Sequence, residues 1–246
     1  MTHILLLMAD TELFRVVEQH QRESRDFTRS VIDRILARGA DIVAESGANS
    51  TGVLEVAIED NVVWLVKFLL KREANPNRAN YVNMTPLHEV AEFVCDKTLL
   101  RLLLKKRGNV EAMNNYGETP LFLAVSVRWV EGVKILLAHG ADPRAVDGIG
   151  MKLLHLASGF FPTHVNTLQV LLDLDVIDIN KKDDVGNSAL HRALLSLDAT
   201  GEIYQQIVTM LTRYGADLTI KNHDGLTPEH LTSIFSGGIS GCRLCP

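Results

Sequence analysis

Apolar residues along this chain fall into pairs of short stripes at helical spacing, separated by polar turns that return at a nearly constant interval. The most regular stretch is 117–142, GETPLFLAVSVRWVEGVKILLAHGAD. Leu121, Ala124 and Val125 lie at i, i+3 and i+4 and predict a short helix with one buried face. Thr119 is placed to cap it, its hydroxyl taking a free backbone N–H of the first turn. Pro120 suits the first helical position, where the N–H it lacks would be unpaired anyway. After a break near Arg128, Val133, Leu136 and Leu137 predict a second helix. Gly140 ends it, because glycine best accepts the left-handed conformation found just past a helix. The polar run DPRAVDG over 142–148 leads into the next stripe.

The four residues that open this unit recur. Thr51-Gly52-Val53-Leu54, Thr85-Pro86-Leu87-His88, Thr119-Pro120-Leu121-Phe122, Lys152-Leu153-Leu154-His155, Ser188-Ala189-Leu190-His191 and Thr227-Pro228-Glu229-His230 start 34, 34, 33, 36 and 39 residues apart. A fixed period with drift marks a stacked array. Two helices of this length cannot cover their own apolar faces, so neighbouring units must cover one another.

These units resemble ankyrin repeats. The likeness rests on the T-P-L-H-x-A pattern of residues 85–88 and its variants, and on the closing Gly39-Ala40-Asp41, Gly140-Ala141-Asp142 and Gly215-Ala216-Asp217. It implies an all-α fold, an ankyrin-repeat solenoid of stacked helix–turn–helix units joined by β-hairpin-like turns. Residues 1–26 are expected to form an N-terminal cap helix region, 27–235 an array of about six repeats plus a partial last one, and 236–246 a flexible tail. No second helix is expected after the unit at Thr227, which predicts a frayed or partner-covered C-terminal end. Repeats five and six carry longer inter-helix turns, GFFPT over 159–163 and LDATG over 197–201, an extension that costs little closure entropy.

The resemblance implies a non-catalytic protein–protein interaction module, an adaptor, scaffold or regulatory binder that recognises a protein through its turn tips and a concave surface of inner helices. Carried over by position, the contact candidates are Asn80, Tyr81, Glu89, Glu92, Asn115, Tyr116, Asp147, Lys182, Asp183, Arg192, Asn222, His223 and Asp224. Tyr81 and Tyr116 stand out, because rigid amphipathic aromatics are typical hot spots. Trp129, Phe160 and Phe161 lie on equivalent inter-helix turns and form a possible aromatic patch. Two alternatives stay open: an inhibitor that sequesters a basic segment of a transcription factor, or the repeat portion of a larger enzyme, channel or ubiquitin-ligase receptor. Asn180 resembles the hairpin asparagine that ankyrin hydroxylases modify.

Composition narrows the field. The chain has 246 residues, a net charge of −5 and a pI near 6.0. That balance argues against a nucleic-acid or anionic-membrane surface and favours a protein partner with a basic patch. No apolar run approaches the roughly 18 residues of a membrane span, and three cysteines fit a reducing compartment. The expectation is a cytoplasmic or nuclear monomer without cofactor or metal. His88, His155, His191 and His230 each hold the fourth motif position, where bonding to backbone or to the next unit is the expectation. Cys242 and Cys245 form a C-x-x-C with no second ligand pair nearby. No catalytic motif is present, and the acidic pairs on turns lack a pocket that would separate their pKa values.

Overall fold

A computed structural model describes residues 11–19, 24–42, 45–46, 51–159, 165–174, 176–195 and 202–236. It divides into two compact units, 1–115 and 116–246. The 237–246 tail and the C-x-x-C it contains lie outside the described residues, as do Phe160 and Phe161.

The first unit begins with α1 (residues 11–18) and α2 (Arg25–Ala37), followed by β1 (Glu45–Ser46) paired antiparallel with β2 (Thr51–Gly52). Then come α3 (Val53–Glu59), α4 (Val63–Lys71), α5 (Pro86–Glu89) and α6 (Lys97–Lys105). Helix α3 packs on α5, and α4 on α6, so each layer is made of equivalent helices from successive repeats. Leu54, Ala57 and Ile58 on α3, Leu65, Val66 and Leu69 on α4, and Leu99, Leu100 and Leu103 on α6 are fully or nearly fully buried. Burying each such Leu, Ile or Val side chain contributes about 1.5–3 kcal/mol. Leu13, Phe14 and Val17 of α1 are buried too. Asp33 of α2 takes two 2.8 Å hydrogen bonds from the Arg72 guanidinium.

The second unit holds α7 (Pro120–Ser126), α8 (Val130–Ala138), α9 (Leu153–Gly159), α10 (Val165–Leu172), α11 (Ala189–Leu194), α12 (Glu202–Arg213) and α13 (Pro228–Ser236). Helices α7, α9, α11 and α13 lie side by side as one layer, and α8, α10 and α12 as the other. Thr119 caps α7 as the sequence predicts, its Oγ1 accepting from Phe122 N at 3.2 Å with Pro120 next in line.

Among the described residues, left-handed backbone recurs at fixed places in the repeats. The tips carry it at Asn83, Gly117, Gly150, Gly186 and Gly225, and the outer-helix ends at Gly39, Glu73, Arg107, Gly140 and Gly215. Asn61, Cys95 and Arg128 mark the inter-helix turns the same way. Asparagine tolerates this region, whereas Glu73 and Arg107 adopt it against their Cβ. One feature had no signal in the sequence: α5 runs into a π-helical turn, Val90–Val94, that closes where Cys95 N donates to Val90 O at 2.9 Å.

Candidate protein-binding surface

Each tip is a tight hairpin built around one Asn or Asp five residues before the helix cap. Asn80 Oδ1 accepts from Val82 N at 3.1 Å and Met84 N at 3.0 Å. Asp147 repeats the pattern with Ile149 N and Met151 N, Asp183 with Val185 N and Asn187 N, and Asn222 with Asp224 N and Leu226 N. A short side-chain oxygen that satisfies two backbone donors mimics a turn of main chain, which is why Asn and Asp serve here. Asp183 and Asn222 are buried as a result. They build the tips instead of presenting themselves.

The residues that follow are thrown outward. Tyr81 is 62% exposed in the first unit. In the second unit Tyr116, Ile149 and Val185, each three residues before the motif, are 66%, 73% and 51% exposed. Main-chain bonds link consecutive tips: Asn115 N to Val82 O at 2.9 Å, Gly148 N to Tyr116 O at 2.7 Å, and His223 N to Val185 O at 3.3 Å. Asn115, His223 and Asp224 are exposed, Asp147 is half-buried, and Lys182 is exposed with Nζ donating to Lys221 O at 2.7 Å.

Behind the tips of the first unit lies an acidic face. Glu55 and Glu89 hold the same place in consecutive repeats, four residues after Thr51 and Thr85. Glu55 is buried and bonded to Arg78 at 3.1 Å, and burial pushes its carboxyl up despite that cation. Glu89 is 8% exposed, and its carboxyl accepts a 3.3 Å hydrogen bond from Asn80 Nδ2. Burial first, then the charges of Glu59, Glu55 and Glu92, push Glu89 up to about 7. Glu59, Asn61, Glu89, Phe93 and Val94 line a hollow of about 530 Å³ whose edge is the 65% exposed Phe93, carried on the π-helical turn.

The motif histidines bond to their own helix caps or to the next repeat. Nδ1 of His88 accepts from Thr85 N at 3.0 Å and lies 2.9 Å from Thr85 Oγ1. His191 and His230 do the same with Ser188 and Thr227. Nε2 of His155 and of His191 reach carbonyls of the next repeat, Asn187 at 2.9 Å and Leu226 at 3.1 Å. Among the described residues no group of three or more His, Cys, Asp or Glu is placed to hold a metal ion, and no helix is long and apolar enough to cross a membrane. Trp129 is half-buried with its ring over its own helix: a Cβ on Gly132 would lie 2.1 Å from Trp129 Cε3. Sequence reasoning missed the Glu55–Glu89 stack, although the shared motif offset of the two residues was readable.

The family model for ankyrin repeats (3 copies) matches residues 53–147 and 130–222. Among curated proteins, the chain is 34% identical over 152 residues to the ANK repeat-containing protein nipk-1 of Caenorhabditis elegans, covering 55% of the chain and 24% of that protein. It is 28% identical to inversin of Homo sapiens over 79% of the chain, and 30% identical to the B-cell lymphoma 3 protein homolog of Mus musculus over 71%. Those alignments span 18% and 38% of the relatives' lengths. The crystal structure of the ankyrin repeat domain of Bcl-3, a member of the IkappaB protein family, superposes with a TM-score of 0.73 at 27% identity, covering 89% of this chain and 92% of that one. Motif, helix layers and comparisons agree: the chain belongs to the ankyrin repeat family, whose repeats are protein–protein interaction modules, and it has that family's all-α fold.

Proposed function

We propose that the chain is a non-catalytic module that binds a protein partner through its tips and acidic inner face. The observation that carries this reading is the row of Tyr116, Ile149 and Val185, large apolar side chains exposed at one position of three consecutive tips. Folding gains nothing from keeping them in water, and aromatic and aliphatic anchors on pre-ordered backbone lose little entropy on binding. Tyr81 extends the same logic to the first unit. The carboxylates of Glu55, Glu59 and Glu92, which raise the cost of charging Glu89, favour a partner that brings a basic segment. The regulatory alternative, sequestration of a basic segment of a transcription factor, shares that chemistry. The small share of each relative's length that the chain spans favours the other alternative, a repeat portion acting within a larger protein. The working location is the cytoplasm or nucleus, and the working state a monomer.

The test compares proteins recovered from cell extract by the wild-type chain and by Tyr116→Ala/Ile149→Ala, with Lys134→Ala on the outer helix as control. Loss of a partner in the double variant alone is expected. Equal recovery by all three would remove the tips from the account.

A further inference from the structure

A second concavity, of about 230 Å³, opens within the unit 116–246 between the loop after α8, the start of α9 and the loop after α10. Pro143, Leu153, Leu154, Val176 and Ile177 form apolar walls. At its rim stand three cations, Arg144, Lys152 and Lys181, against the single carboxylate of Asp178. This local sign is opposite to that of the chain as a whole.

The hollow lies where the fifth repeat departs from the pattern of its neighbours. Lys152-Leu153 stand where Thr85-Pro86 and Thr119-Pro120 open other repeats, and Val176-Ile177 stand where Gly140-Ala141 and Gly215-Ala216 close them. Both departures line the one cavity. A third consequence is a buried atom left over. His155, 1% exposed, also lines the cavity, and its Nε2 bonds to Asn187 O. In three other repeats Nδ1 meets a Thr or Ser hydroxyl, but Lys152 offers none, and Nδ1 of His155 has no partner. With Nε2–H donated to a carbonyl, Nδ1 is a bare acceptor in need of an N–H or O–H.

We propose that this cavity is a socket for one tyrosine side chain from a partner segment with acidic residues on either side of it. The size points to a side chain, since drug-sized sites begin at roughly 300 Å³. The apolar walls take the ring. The phenol O–H is the donor that His155 Nδ1 lacks. Arg144, Lys152 and Lys181 meet the flanking carboxylates, a complementarity that falls with added salt. The inference does not depend on the acidic face of the first unit and involves a partner segment of opposite charge.

The test is an NMR titration of the full ¹⁵N-labelled chain with three peptides, acetyl-Glu-Asp-Tyr-Asp-Glu-amide and its Phe and Ala counterparts, and with N-acetyl-tyrosinamide. The Tyr peptide is expected to shift the amides of Lys152–Leu154 and Val176–Ile177 and to bind roughly tenfold or more tighter than the Ala peptide, with the Phe peptide between them. N-acetyl-tyrosinamide, lacking the acidic flanks, is expected to bind more weakly than the Tyr peptide. Ile177→Phe, which fills the hollow, and Arg144→Gln/Lys181→Gln, which leaves the walls intact, should each weaken the Tyr peptide while unchanged circular dichroism reports the fold. A Tyr peptide no tighter than the Ala peptide, or shifts confined to other residues, would overturn the socket. A Phe peptide equal to the Tyr peptide would overturn the choice of tyrosine, and N-acetyl-tyrosinamide binding as tightly as the Tyr peptide would overturn the acidic segment.

Discussion

Arg192 lays its guanidinium against the carboxylate of Asp183, with Nε 2.7 Å and Nη2 2.6 Å from Oδ2. Asn80 and Glu89 stand at the same two motif positions in the first unit and are joined by the weaker 3.3 Å contact. One pair of positions therefore carries two electrostatic outcomes. Asp183 is matched by a cation, and Glu89 is not.

The matched pair makes a prediction about acid. Burial alone would raise the Asp183 carboxyl, but the bonds from Arg192 and Asn187 N, with the Arg192 charge, hold it below the usual carboxylate range. A depressed folded pKa contributes stability that is full above the unfolded value near 4 and is lost as pH falls through the folded value. Arg192→Met should cost about 2 kcal/mol at pH 7 by leaving a buried carboxylate without its counter-charge. Its cost should shrink as pH falls below the usual carboxylate range. Urea melts across pH 2.5–7 check both; a cost independent of pH would contradict the pairing.

The unmatched carboxyl behaves in the opposite sense. Glu89, pushed up to about 7 by burial and by Glu59, Glu55 and Glu92, keeps a proton in the folded state between about pH 4.5 and 7 that the unfolded chain has released. Stability therefore falls as pH rises through that window, by up to about 3 kcal/mol for the full shift. Glu89→Gln should stabilise the chain at pH 8 and change little at pH 4, as read by thermal or urea unfolding. A lysine- and arginine-rich peptide should also bind more tightly at pH 8 than at pH 6, and this dependence should flatten in Glu89→Gln.

Two asparagines clamp successive repeats. Asn77 Nδ2 donates to Arg107 O at 3.0 Å while its Oδ1 accepts from Asn109 N at 2.5 Å. Asn180 does the same in the second unit, to Gly215 O at 3.2 Å and from Asp217 N at 2.8 Å. Asn180→Ala removes two bonds that join one repeat to the next, and about 1–2 kcal/mol should be lost. Hydrogen exchange should then rise at Asp217, whose amide loses its acceptor, before it rises in α9.

Left-handed strain offers a gain. Glu73 and Arg107 have φ of 69° and 65° at outer-helix ends where other repeats place Gly39, Gly140 and Gly215. Glu73→Gly and Arg107→Gly should each stabilise by about 0.5–1 kcal/mol, and Gly140→Ala should destabilise by a similar amount. Urea midpoints at constant slope would show it.

How far the sequence reached follows from which interactions are local. The caps at Thr119 and Ser188, the stop at Gly140 and the exposure of Tyr81 and Tyr116 depend on a few consecutive residues, and their motifs are readable. The π-helical turn after α5 sends Phe93 outward with no residue of its own to announce it. The Glu55–Glu89 stack and the cavity beside His155 arise from residues of neighbouring repeats, brought together by repeat stacking. They become legible only when repeats are aligned and departures at equal offsets, such as Lys152 for Thr and Ile177 for Ala, are compared.

The most direct test of protein recognition through the tips is site-specific photocrosslinking in cells. A benzophenone amino acid would replace Tyr116 or Ile149 in one set of proteins, and Lys134 on the outer helix in another. Protein adducts from the two tip positions, with none from Lys134, are the predicted result. Adducts from Lys134 alone, or none from either tip, would contradict it.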